Sequence, residues 1–202
     1  MIDLLLFLKH NLSFFWGFIE KINGLLFKLL FKKKFNNNLS EVFSRYNLED
    51  FIFKPLDKGD MELLKDLIKR QPVEDLAYFR PHEFDDRSLI RVFNNPAFLM
   101  MGAFKGKVMV GYFFLRCFIN KKCFVGRLVD REYRGMGIGK AMNDIMYNIA
   151  WQNGFRCLST ISRNNKTVMA AHAGNKNMII LKELNNDYLL VEFVKADEKD
   201  KR

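Results

Sequence analysis

Seven consecutive residues, Arg134-Gly135-Met136-Gly137-Ile138-Gly139-Lys140, place three glycines between an apolar run ending at Val129 and a stretch with helical spacing. Glycine lets a backbone turn its N–H groups inward with no side chain in the way. A helix that starts there adds unpaired N–H donors and the positive end of its dipole. Such a loop holds an anion, and a diphosphate suits it. Two rival glycine loops are disfavoured. A dinucleotide fold places its loop after the first strand with an acidic residue about 20 positions on, and a nucleotide P-loop needs Gly-Lys-Ser/Thr. Here Gly139-Lys140 is followed by Ala141.

Period and punctuation predict the elements that must carry this loop. Phe51-Ile52-Phe53-Lys54-Pro55 reads as a strand stopped by proline, and Asp60 offers an N-cap to a helix with Leu63, Leu64, Leu67 and Ile68 on one side. Residues 71–84, with Pro72 and Pro81, keep no clean period, and residues 86–93 are again helical. Three strand-like runs follow, 98–104, 108–119 and 123–129, joined by Lys105-Gly106-Lys107 and Asn120-Lys121-Lys122 into an antiparallel meander. Ile138, Ala141, Met142, Ile145, Met146, Ile149 and Ala150 then keep helical spacing, and Gly154 ends that helix. A strand (157–161), a helix (166–173) and a hairpin (178–184 with 188–194, around Asn185-Asn186-Asp187) complete the order. The expected class is α/β (α+β), a mixed, mostly antiparallel sheet of about six or seven strands flanked by helices.

The stretch Val129-Asp130-Arg131-Glu132-Tyr133-Arg134-Gly135-Met136-Gly137-Ile138-Gly139-Lys140-Ala141 resembles the acyl-CoA-binding motif of the GNAT (N-acetyltransferase) superfamily. Its core pattern, Arg/Gln-x-x-Gly-x-Gly/Ala, falls on Arg134, Gly137 and Gly139, and the order of elements across residues 50–194 is also similar to the family's. The resemblance implies acetyl-CoA (acyl-CoA) as co-substrate and no metal. It implies that Arg134, Gly135, Met136, Gly137, Ile138, Gly139 and Lys140 bind the pyrophosphate. Leu128 and Val129, at the end of a strand that splays from its neighbour, would offer backbone groups to the pantetheine arm. Asn165 opens the segment Asn165-Lys166-Thr167-Val168-Met169-Ala170-Ala171-His172, similar to the family's Asn-x-x-Ala/Ser-x-x-x-Tyr, in which the asparagine meets the pantetheine. His172 stands where the family's tyrosine protonates the departing thiolate, a role an imidazolium with a pKa near ~6.5 could fill. The family's Gly-Phe after this helix is replaced by Gly174-Asn175-Lys176-Asn177.

The implied reaction is direct attack of an amine on the thioester, with His82, Asp130 and Glu132 as titratable candidates for the base. His82 ranks first, because Tyr78-Phe79-Arg80-Pro81-His82-Glu83-Phe84 sits where the family places acceptor recognition. Tyr78, Arg80 and His82 are the expected acceptor-binding residues, since rings with an arginine suit stacking on a sugar or base and pairing with phosphate. That points to a small-molecule amine, a nucleotide-linked amino sugar, and the sequence resembles small bacterial members linked to surface-polysaccharide synthesis. Two alternatives stand beside it. A protein or peptide amine would predict an open acidic groove, and an acyl-CoA-binding module would show no turnover.

The chain carries 33 Lys and Arg against 23 Asp and Glu, a formal charge of +10, which suits something anionic nearby: a phosphorylated cofactor, a nucleotide-linked substrate, a nucleic acid or an anionic bilayer. No helix-turn-helix, zinc-ribbon or aromatic RNA-binding pattern accompanies this charge, which argues against nucleic acid. Three cysteines, Cys117, Cys123 and Cys157, lie in apolar runs without ligand spacing and read as reduced core residues of a cytoplasmic protein. Residues 1–35 form an amphipathic helix, with Leu4, Leu8, Leu12, Phe15, Phe18, Ile19, Ile22, Leu25, Leu26, Leu29 and Leu30 on one broad face. Its charges deny any span of about 18 apolar residues. Acidic Asp3 early and Lys32-Lys33-Lys34 late are the reverse of an export signal. The helix reads as a peripheral anchor on the anionic inner face of the cytoplasmic membrane, or as an arm packing on its own domain or in a homodimer. Asn36-Asn37-Asn38 marks 36–49 as a linker, 50–195 as the acyltransferase domain, and 196–202 as a charged tail.

Overall fold

A strand buried on both faces loses the polar alternation of a surface strand. β2 (Phe98–Lys105) and β3 (Val108–Cys117) show that loss, being apolar at nearly every position. Side chains alternate across a sheet. Phe113 and Leu115 therefore enter one hydrophobic layer with Met101 and Ala103, while Tyr112 and Phe114 enter another with Met100 and Phe98.

The chain is described by a computed structural model covering residues 13–46 and 48–195, with side chains from residue 17 onward. Expectations for Leu4, Leu8, Leu12 and the tail 196–202 lie outside the described residues. β1 (Phe51–Pro55), β4 (Lys122–Val129), β5 (Arg156–Ser162), β6 (Met178–Glu183) and β7 (Tyr188–Phe193) complete a seven-stranded sheet in the order β1-β2-β3-β4-β5-β7-β6. Every neighbouring pair is antiparallel except β4 and β5. That parallel contact is short, with Lys122–Phe124 pairing to Arg156–Leu158. Beyond Phe124 the two strands diverge, and the gap between them becomes the site.

Helices close both faces. α3 (Met61–Lys69) and α5 (Asp86–Phe93) bury Leu64, Leu67 and Leu89 in one layer, each burial stabilising the fold by about 1.5–3 kcal/mol. α6 (Ile138–Gln152) buries Ile138, Met142, Ile145 and Ile149 in the other. The aperiodic region contains only the short α4 (Val73–Leu76), and α7 (Lys166–His172) follows β5. Asp60 does not cap α3 with its side chain. Asp57 instead accepts from the Gly59 N–H at 2.7 Å in a 3-10 turn, and the Asp60 carboxylate is taken by Lys54 and the Asp57 N–H.

The largest departure from the sequence reading is at the N-terminal side. α1 (Ser13–Leu30) is followed after Phe31 by α2 (Lys32–Ser44), which runs through Asn36-Asn37-Asn38. The expected linker at 36–49 is therefore helical over most of its length. Polar propensity lost to packing: Phe35 and Val42 are buried, and Asn38 donates to the Asn153 side chain at 3.3 Å. Phe27, Phe31 and Phe35 surround Phe155 at ring distances of 5.1–6.1 Å. α1 is fixed to the end of β3 as well. Glu20 pairs with Arg116, and Asn23 donates to the Cys117 carbonyl at 2.9 Å and accepts from the Ile119 N–H at 3.1 Å. Gly24 permits this approach, since a Cβ there would lie 2.9 Å from the Asn95 side-chain oxygen.

Candidate active site

The divergence of β4 from β5 exposes one edge of β4. Phe118 N–H donates to the Lys122 carbonyl and Asp130 N–H to the Val110 carbonyl, both at 2.9 Å. An antiparallel ladder alternates, so the backbone groups of Val125, Arg127 and Val129 turn away from β3 and toward the gap. Two cavities occupy it, one of about 1100 Å³ and one of about 900 Å³. They share a wall of Tyr78, Phe79, Arg127, Asn143, Tyr147, Asn165 and Val168.

The glycine loop lines the larger cavity. Gly135 and Gly137 have φ of 82° and 80°, a left-handed backbone that glycine adopts without a Cβ clash, and Gly137 opens α6. Gly135, Gly137, Gly139 and Lys140 face the cavity with Leu128 and Val129. Met136 points its side chain to solvent and Ile138 sends its into the core, which leaves their backbones for a ligand. Asn165 lines both cavities while its side-chain oxygen accepts from the Val168 N–H at 3.1 Å, capping α7.

Two arginines flank the loop in different electrostatic states. Arg134 is committed to Asp75 at 3.0 Å and to the Val129 carbonyl at 3.3 Å. Arg127 donates from Nε to the Asn143 side-chain oxygen at 2.7 Å and has no carboxylate partner among the described residues. Burial pulls its pKa below the usual arginine value, yet a guanidinium remains charged at working pH. A Cβ placed at Gly139 would meet Arg127 Nη1 at 3.1 Å, so this unneutralised cation lies against the first turn of α6. The arrangement would offer an anion both backbone donors and a charge. In the sequence Arg127 is one residue of a strand, and its signal is the period of two: Val125 and Val129 are core residues of the α6 side and Arg127 sits between them.

Among the residues expected to act chemically, Tyr78 and Arg80 line the smaller cavity and His172 joins them. His82 does not, a correction to its assignment as base and acceptor ligand. Its Nδ1–H donates to the Glu83 carbonyl and its Nε2 accepts from the Tyr112 hydroxyl, both at 2.8 Å. Its ring is enclosed by Phe84, Phe98 and Tyr112, and burial lowers its pKa. Asp130 is likewise corrected. It is buried outside both cavities, where its carboxylate holds Arg70 at 3.1 Å and caps the turn at Glu132 N–H. Glu132 lines neither cavity.

His172 reaches the right place in the wrong protonation state. Burial, with help from Arg127, lowers its pKa to about 4, so it is neutral at physiological pH and supplies no imidazolium. Its Nδ1 accepts from the Asn175 amide at 3.1 Å, and its ring packs on Phe193. Tyr147, on α6, was missed by the sequence reading. It stacks on Phe193 at 4.4 Å, stands on the shared wall, and is held protonated by burial. Nothing in its spacing distinguished it from the core face of α6.

A splayed β4–β5 pair with a glycine loop opening the next helix agrees with the comparison to known proteins. Residues 61–173 match the acetyltransferase (GNAT) family. The chain belongs to that family. As a GNAT acetyltransferase it takes acetyl-CoA as co-substrate and an amine as acceptor. Its fold is similar to the GNAT domain of S. lividans PAT, with a TM-score of 0.60 at 16% identity over 70% of this chain and 88% of that one. It is also similar to the PaiA N-acetyltransferase of Thermoplasma acidophilum in complex with coenzyme A, with a TM-score of 0.60 at 17% identity over 72% and 99% of the two chains. A chimera of the Vibrio cholerae spermidine N-acetyltransferase SpeG gives 0.56 at 13% identity over 76% and 100%. These identities support a shared fold and nothing finer. No curated protein sequence matches the chain.

Proposed function

We propose that this acetyltransferase acts on the primary amine of an anionic small molecule, a nucleotide-linked amino sugar destined for surface polysaccharide, and does so in the cytoplasm. The observation that carries the reading is the charge of the smaller cavity. Arg80 and Lys182 line it, with Arg127 on the wall shared with the larger cavity and Arg116 paired with Glu20, and its one carboxylate, Glu183, is itself paired with Arg163. Tyr78, Phe114, Phe118 and Phe124 supply ring faces for a sugar or base. A polyamine or a peptide N-terminus brings positive charge and calls for an acidic wall. The three buried thiols suit a reducing compartment.

In this reading the loop amides from Gly135 to Lys140 and the Arg127 guanidinium hold the diphosphate, and Val129 and Asn165 meet the pantetheine arm, while Leu128, whose backbone is turned to β3, does not take the backbone role expected of it. The thioester then lies at the shared wall, where the amine arrives from the smaller cavity. The deprotonated amine attacks the carbonyl carbon, a C–N bond forms, the C–S bond breaks, and one of the two N–H protons passes to water while the other stays on the amide. A β4 N–H facing the gap stabilises the oxyanion. Tyr147, with its proton retained, donates a hydrogen bond to the departing sulfur, which is protonated from solvent.

The test is CoA release, followed by a thiol reagent, with three acceptors: a nucleotide-linked amino sugar, spermidine and a peptide with a free N-terminus. The amino sugar is expected to saturate with the highest kcat/KM, and Arg80→Gln and Lys182→Gln to raise its KM with little change in kcat. A higher kcat/KM for spermidine or the peptide would refute the assignment.

A further inference from the structure

α1 buries only one of its sides. Phe27 faces the Phe155 cluster, and Glu20 and Asn23 hold the end of β3. At about 100° per residue, Phe18, Ile22, Leu25 and Leu29 form one strip well away from that buried side, and Leu30 lies about a quarter turn round from it. Their exposures are 56, 42, 58, 72 and 64%. Single exposed apolar residues are ordinary, but a contiguous row along one helix marks an interaction surface.

The charge around the strip selects the partner. Lys21 and Lys28 flank it, and Lys32, Lys33 and Lys34 follow at its end, all exposed. None of the five pairs with a carboxylate among the described residues. The one acid within residues 13–34 is Glu20, which points to the opposite side and is held by Arg116. A second copy of this surface would offer those lysines no acid, whereas anionic headgroups would. No helix among the described residues is long and apolar enough to cross a membrane, so the contact lies in the plane of the surface.

We propose that α1 and the Lys32–Lys34 run dock the enzyme on an anionic lipid surface. The opposite side of α1, through Glu20 and Asn23, holds Arg116, Cys117 and Ile119, and Arg116 and Phe118 line the smaller cavity, so the docked strip does not cover that cavity. The lipid contact does not depend on which amine is acetylated, and its assay contains no acceptor.

The experiment is flotation of the full chain with vesicles of phosphatidylcholine alone and of phosphatidylcholine mixed with phosphatidylglycerol. Wild type is expected to float with the anionic vesicles at least tenfold better than with the neutral ones, and less so as salt rises. Leu25→Ser with Leu29→Ser should abolish flotation. Lys32→Gln with Lys33→Gln and Lys34→Gln should weaken it by about a hundredfold, at roughly fivefold per lysine. Retained CoA affinity shows that each variant is folded, and the salt series on wild type needs no variant at all. Equal flotation with neutral vesicles, absence of flotation, or wild-type flotation of the double serine variant would overturn the proposal. So would a lipid-free dimer that the double serine variant loses, since the strip would then be occupied by a second copy.

Discussion

Arg127→Gln and Arg134→Gln separate the two cations that flank the glycine loop. Arg134 is already neutralised by Asp75 at 3.0 Å, while Arg127 has only the Asn143 amide at 2.7 Å and no acid among the described residues. A hydrogen bond to a charged group contributes about 1.5–3 kcal/mol, which converts to roughly a 10- to 150-fold loss of CoA affinity for Arg127→Gln. Arg134→Gln should cost a few-fold at most, because any gain from the diphosphate is offset by loosening its grip on Asp75. Glutamine keeps a polar group beside Asn143, so the fold is expected to survive, and thermal unfolding checks that. Calorimetric titration with CoA and with 3′-dephospho-CoA is the assay. The Arg127 loss should be the same for both if, as proposed, Arg127 and the loop hold the diphosphate common to the two ligands. A loss below twofold, a loss confined to CoA, or a larger effect at Arg134 would refute the electrostatic assignment.

The remaining predictions concern protonation and packing. His172 has a folded pKa of about 4, below the unfolded value near ~6.5, so the unfolded chain takes up its proton first as pH falls. His172 therefore contributes no loss of stability above about pH 6.5, an increasing loss between ~6.5 and about 4, and a constant one below. His172→Gln should flatten that part of the stability–pH curve and leave the pH–rate profile above neutrality unchanged; a lost alkaline limb would restore the histidine as the acid. Phe155→Ala removes the ring around which Phe27, Phe31 and Phe35 pack, and should cost about 3–5 kcal/mol and expose α1 and α2 to limited proteolysis. Unchanged cleavage would mean that the polar contacts of Glu20 and Asn23 hold α1 without the aromatic cluster.

Sequence and structure agree where the determinants are local. The meander between Phe98 and Val129 was legible because its runs are apolar and its turns carry Gly106 and Lys121, both at positive φ. The glycine loop and the helix after it were legible for the same reason: strand, turn and helix start are neighbours in the chain. α2 was misjudged because the Asn36-Asn37-Asn38 run has little helical propensity of its own. What holds it is burial of Phe35 against Phe155, a residue far away in sequence.

The sequence by itself determined the family, the order of the seven strands and the position of the glycine loop, since these depend on chain neighbours and on the backbone freedom of glycine. Tertiary structure alone decided which ionisable groups are available for chemistry. Asp130 is consumed by Arg70, His82 by Tyr112 and Glu83, and Arg134 by Asp75, whereas Arg127 is left charged beside Gly139. Each of these outcomes is set by partners from other elements, because charge state and hydrogen-bond capacity depend on what lies within a few ångströms in space rather than along the chain.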